Sequence, residues 1–128
     1  MATESPGMAI GTFTAAADLS SKQYHFVKLA SATTVDVCSA VTDVPIGVLQ
    51  NNPTSGKSAS VCFIGVSKVV ADATLAAGNV IGTSADGQAQ PLTVGTETTV
   101  YTCGQAIEAG AAGETLTAYI NISNGRAS

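Results

Sequence analysis

Charge is what this sequence has least of. Only 11% of its 128 residues are Asp, Glu, Lys or Arg, against about 25% in an ordinary soluble domain. The basic residues Lys22, Lys28, Lys57, Lys68 and Arg126 stand singly along the chain. Nucleic-acid binding draws most of its affinity from clustered cations on phosphates, so nucleic acid is excluded as the main partner. Tryptophan is absent and aromatics amount to 5%, which leaves little stacking surface for a sugar. Three cysteines, Cys38, Cys62 and Cys103, make neither an even set nor a C-x-x-C pair. That argues against both a disulfide framework and a zinc centre. Each sits in an apolar, strand-like run where a thiol behaves as a small hydrophobe, as expected of a reduced, cytosolic chain. The opening residues lack a basic stretch followed by an apolar run, so no signal peptide is expected. Long apolar runs are missing too: Lys68, Asp72 and Asn79 interrupt the greasiest region, and no membrane span is expected.

What is present is apolar and small. Hydrophobic residues make up 45% of the chain, and nearly half of all positions are Ala, Gly, Ser or Thr. A domain of this size buries about two-thirds of its surface, enough for a core without disulfides or metal. A neutral, hydroxyl-rich surface suits close subunit packing or a static assembly, because a buried charge needs a partner. The same surface also fits a monomer kept soluble by Ser, Thr and Asn.

Short runs of Val, Ile, Thr and aromatics alternate with Gly, Pro, Asn and Asp signals, a β pattern throughout. Strands are expected near Tyr24–Leu29, Thr34–Cys38, Ile46–Leu49, Ala59–Val70, Asn79–Gly82, Gln88–Leu92, Thr98–Ile107 and Thr115–Ile122. Ala85-Asp86-Gly87-Gln88 carries the Asp-Gly signal of a tight hairpin. The best helical candidate, Asp72–Ala77, is too short to stand alone. The expected fold is all-β: a small β-barrel or sandwich of about eight short strands with an extended N-terminal arm. Residues 1–20 form that arm, flexible or docked on a partner, and 21–128 form a single β-domain. Within the arm Met8, Ile10 and Phe13 are the apolar residues expected to contact a neighbouring subunit or another partner that receives the arm; a frayed terminus would leave them in water.

A shift of 57 residues gives an internal echo. It lays Gly47 on Gly104, Gly56 on Gly113, Lys57 on Glu114, Ala59 on Leu116, Val61 on Ala118 and Phe63 on Ile120. A duplicated β-hairpin unit would produce this, and so would period-2 burial acting on two unrelated strands.

No catalytic, cofactor-binding or metal-binding residues emerge. Asn51-Asn52-Pro53-Thr54-Ser55-Gly56-Lys57-Ser58 falls one residue short of a phosphate-binding loop, with Asn51 where the first Gly belongs. Such a loop must open a helix, and here an alternating run, Ala59 to Val66, follows. His25 is the single histidine, so any Ser-His or Cys-His chemistry must pass through it; a small hydrolase would need it. The acidic residues mark turns and strand ends, and Asp86-Gly87 has no acidic run around it of the kind that makes a calcium loop. Asn121-Ile122-Ser123 matches a glycosylation sequon, idle without secretion. The expectation is a protein that is not an enzyme.

Two segments, Val44-Pro45-Ile46-Gly47-Val48-Leu49-Gln50-Asn51-Asn52-Pro53 and Val61 to Val70, are similar to a phage-encoded family of capsid decoration, or head cement, proteins. Tyr24-His25-Phe26-Val27-Lys28-Leu29, Ala77 to Thr83 and Gly104 to Ala109 share the resemblance, which covers roughly residues 22 to 122. It implies a structural protein made in the host cytoplasm and added to the capsid exterior. Its partner would be the major capsid protein, bound as a homotrimer at threefold or quasi-threefold positions, with no nucleic acid, membrane or cofactor. A tail-fibre or host-recognition β-domain of a virion is the alternative.

Overall fold

The computed structural model describes residues 8–123 and 125–127. Among the described residues there are nine strands, in one sheet, and no helix. They are β1 (Ala9–Ala15), β2 (Phe26–Leu29), β3 (Thr34–Val37), β4 (Gly47–Leu49), β5 (Ser58–Val70), β6 (Val80–Thr83), β7 (Ala89–Pro91), β8 (Gly104–Ala106) and β9 (Thr115–Asn121). The all-β expectation, a small barrel or sandwich, holds. The segment read as an arm contributes β1, which β5 and β3 of the same chain receive: antiparallel on β5, parallel on β3. Residues 1–7 of that arm lie outside the described residues.

Strand order is β1-β3-β2-β4-β5-β9-β8-β6-β7, with β1 also bonded to β5. The extra pairing closes a ring, β1-β3-β2-β4-β5. A second ring closes less fully just beyond the far end of β5, where Ala71 meets Ala89 in a parallel bridge and the Asp72 amide donates to Ala89 O at 2.8 Å. Thus one 13-residue strand serves both rings, ending the first and beginning the second.

The two rings share one wiring diagram. Val27 pairs with Val37 and Lys28 with Asp36 in the first; Ile81 pairs with Pro91 and Gly82 with Gln90 in the second. Val48 pairs with Cys62 and Leu49 with Val61, as Gln105 does with Tyr119 and Ala106 with Ala118. The parallel contact Ala15–Val35 recurs as Ala71–Ala89. Loop hydrogen bonds repeat as well: Leu19 N to Pro53 O and Leu75 N to Gly110 O are both 2.9 Å. The echo seen at a shift of 57 residues is therefore one part of a five-strand repeat.

Repeat partners also share the interior, because period-2 alternation fixes which side chains face inward. Ala15, Leu19, Val27, Val35, Leu49, Ala59 and Val61 fill the first ring. Their counterparts Ala71, Leu75, Ile81, Ala89, Ala106, Leu116 and Ala118 lie in the core of the second. At one pair of positions size is exchanged: Leu49 with Ala59 in the first ring becomes Ala106 with Leu116 in the second. Close packing needs total volume conserved more than it needs particular residues. One glycine pair of the echo, Gly47 and Gly104, has a steric cause. A Cβ on Gly47 would strike the Cys62 carbonyl, and one on Gly104 the Tyr119 carbonyl.

Where one strand was expected over Thr98–Ile107, only Gly104–Ala106 forms a ladder strand. Tyr101 makes an isolated bridge to Arg126, and Val100 packs with Leu92 and Ala127. The preceding loop is folded by its own polar contacts, the Glu97 carboxylate accepting from the Thr93 amide.

Candidate functional site

A hollow lies at one mouth of the first ring. It encloses about 590 Å³ and is lined by Lys28, Leu29, Val44, Pro45, Ile46, Phe63 and Ile122. Leu29 and Val44 are 51% and 48% exposed, unusual for large aliphatic side chains standing close together. Strand β2 brings Lys28 and Leu29, the turn before β4 brings Val44 to Ile46, and β5 brings Phe63. Ile122 arrives from the end of β9, where its amide donates to the Phe63 carbonyl at 3.1 Å.

One ion pair stands at the rim. Lys28 Nζ donates to Asp43 Oδ2 at 2.8 Å, and the same oxygen accepts from the Ser39 and Ala40 amides at 2.8 and 3.0 Å. Partial burial pushes the Asp43 carboxyl up, but the Lys28 ammonium and the two amides outweigh it and hold the carboxyl below its usual range. The same hydrogen bond raises Lys28. With its single cation already paired, this mouth offers apolar contact with a polar edge.

The three residues singled out in the arm are dispersed. Phe13 turns inward and meets Phe63 edge-on, ring centroids 6.1 Å apart at 87°, so it supports the mouth from beneath. Ile10 faces outward and is 50% exposed. Met8 lies over Gly65, which has a positive φ of 134° and follows the register shift at Ala9/Ile10, where β1 gives way to β9 along β5. The mouth residues themselves were not picked out as a site in the sequence. Their signal was the Val44-Pro45-Ile46-Gly47 segment, read there for resemblance alone.

The remaining chemical candidates have structural surroundings. His25 is buried, 6% exposed, and its ring Nδ1–H donates to the Gln23 carbonyl at 3.1 Å. Burial lowers its pKa. After Lys57 the chain enters β5, and Asn51 clamps the loop by donating to Ser58 O at 2.9 Å and accepting from Ser60 N at 3.0 Å. Burial pushes the Cys38 thiol up to about 12 and raises Cys103 as well, which leaves both as unreactive thiols at neutral pH. Among the described residues no three His, Cys, Asp or Glu side chains gather as metal ligands.

The fold is thus an all-β pair of tandem five-stranded rings sharing a long strand. The same fold is seen in the crystal structure of the head fiber gp8.5 N base in bacteriophage phi29, at a TM-score of 0.68 and 21% identity, over 91% of this chain and 97% of that one. No protein-family model matches the chain, and no curated protein matches it significantly.

Proposed function

We propose that this chain is a structural protein of a phage head: a decoration or cement protein that binds the capsid exterior as a trimer and stabilises the shell. The observation that carries this reading is the shared fold with a phage head fiber base across nearly the whole chain. The resemblance of Val44–Pro53 and Val61–Val70 to decoration proteins supports it independently. An exposed apolar mouth beside Leu29 and Val44 and a surface with few charges suit a protein that meets other subunits rather than a substrate. The work it performs is mechanical. A protein bound across a seam of the assembled shell, and not to its separated subunits, stabilises the shell by linkage, and many copies acting together need no single strong site. No catalytic step is assigned.

The test is co-sedimentation with purified shells of the cognate phage, followed by heating or osmotic shock of the decorated shells. Saturable binding in multiples of three, with rupture delayed, is the expected result. Failure to bind expanded shells would overturn the proposal. Because the similar structure is a fiber base, a second reading has the same fold anchoring a fiber; then binding occurs while shell rupture is unchanged.

A further inference from the structure

The repeat leaves one mouth filled and its counterpart empty. In the second ring, the positions equivalent to the empty mouth of Leu29, Ile46 and Phe63 are Thr83, Cys103 and Ile120. All three are buried. What covers them is the outer side of the first ring: Phe26, Cys38 and Val48 belong to the same core cluster as Cys103 and Ile120. The Thr83 side chain lies beside the Cys38 thiol, and the Phe26 amide donates to Gly87 O, in the β6–β7 turn, at 2.6 Å. One ring's outer face therefore plugs the other ring's mouth.

That outer face has its own counterpart, and it is covered at one end only: Leu92, the repeat partner of Cys38, is buried with Val100 and Ala127, and Val80 packs on that cluster. Across the first ring Phe26 pairs with Val48 and Val48 with Cys62, all fully buried. Across the second, Val80 pairs with Gln105 and Gln105 with Tyr119. Here Tyr119 is 43% exposed, and nearby Val94 is 61% exposed. This row lines a second hollow, of about 370 Å³. Each chain thus carries one empty mouth on the first ring and, on the second, an outer face exposed around Gln105 and Tyr119, the counterparts of the two surfaces it joins internally.

We propose that the chain self-associates head to tail, the Val80–Gln105–Tyr119 face of one copy seated in the Leu29–Val44–Phe63 mouth of the next. Such a contact is heterologous: it joins unlike surfaces, and it ends only when the copies close into a ring. It gives the trimer of the preceding reading a defined interface, and rests on that reading only for the number of copies. The apolar exposure on both surfaces is then explained by one occupant.

The experiment uses the full chain without shells, so its outcome is separate from capsid binding. Leu29→Glu disables the mouth and Tyr119→Glu disables the face; both residues are exposed, and circular dichroism confirms each variant folds. Wild type should sediment as a closed oligomer, and each variant alone as a monomer. An equimolar mixture should yield a 1:1 dimer, because one good mouth and one good face remain between the two variants. Val44→Glu with Val94→Glu should repeat the pattern. A wild type that stays monomeric up to about 1 mM, variants that keep the wild-type mass, or a mixture that forms no dimer would each overturn the proposal. The last result with monomeric variants would point to a contact joining like surfaces.

Discussion

The first and second rings have the same strand order, the same registers and the same loop hydrogen bonds, yet they end differently. One mouth is packed against protein and the other stands open; one outer row is buried and its repeat is exposed at Gln105 and Tyr119. The difference follows from tandem placement. When two copies of one unit pack unlike surfaces against each other within a chain, each unit uses one of its two surfaces and keeps the other. The repeat also separates what a ring requires from what it tolerates. Inward-facing positions keep their place while residue size moves between Leu49/Ala59 and Ala106/Leu116. Gly47 and Gly104 do not change, because there the adjacent strand leaves no room for a Cβ.

The sharpest way to break the comparison is at those glycines. Gly104→Val places a side chain against the Tyr119 carbonyl at a φ of 145°, adding backbone strain to overpacking, and should cost about 3 kcal/mol or more. Gly47→Val meets the same kind of carbonyl without positive φ and should cost less. Chemical denaturation of both variants measures the gap. Equal losses would mean that the strained φ of Gly104 contributes nothing.

The core exchange is next in size. Leu49→Ala alone leaves a cavity and should cost about 2–5 kcal/mol. Ala59→Leu alone overpacks, at about 1–3 kcal/mol. Together they install the second ring's Ala–Leu pair in the first, and the double variant should return to within about 1.5 kcal/mol of wild type. A double-mutant cycle that is merely additive would show that the rings match in register but not in packing.

How much of this was legible in the sequence depends on whether the cause is local. Strands β2 to β9 were placed because β-branched alternation and turn residues act within a few positions of each other. The hairpin was readable from Asp86-Gly87, but its loop runs over Ser84–Gln88 and only Gly87 takes a positive φ, of 76°, so it is not the tight turn expected. Strand β1 is Ala-, Gly- and Thr-rich, with weak alternation, and owes its pairing to β5 some fifty residues away. Thr98–Ile107 looked continuous because nothing local shows that Val100 is claimed by Leu92 and Ala127. The open mouth draws on four separated segments of chain, from Lys28 to Ile122, and its openness is visible only beside the filled one. The echo at 57 residues was readable; its extent was not, since β2 and β3 repeat at a spacing of 54.

The smallest effect sharpens the comparison at a titrating position. His25 and Asn79 are repeat partners with the same backbone bonds: His25 N donates to Lys22 O and Asn79 N to Ala76 O, both at 3.1 Å, while Leu49 N and Ala106 N donate to their carbonyls at 2.9 Å. The side chains differ in two respects: the His25 ring donates to a carbonyl where Asn79 accepts from an amide, and only His25 gains a proton in acid. Burial is the largest influence on its pKa and lowers it, the Gln23 carbonyl opposes this, Lys22 lowers it further and Asp86 raises it slightly. A histidine whose folded pKa is depressed binds fewer protons folded than unfolded, so stability rises with pH in that range. Its contribution is complete above the unfolded value of about 6.5 and is lost as pH falls through the lower folded value. His25→Asn installs the second ring's residue, whose side chain accepts from a backbone amide (Ala76 N to Asn79 Oδ1, 2.8 Å). The variant should fold with the same registers and lose the pH dependence between 6.5 and the depressed pKa, while Lys28 and Asp43 add no slope there because their shifts lie near pH 10.5 and below 3.8. Urea midpoints measured from pH 7.5 down to 4.5 give the slope directly. An unchanged slope in His25→Asn would place the proton uptake elsewhere, and a variant that no longer folds would show that the two rings require different side chains at this shared position.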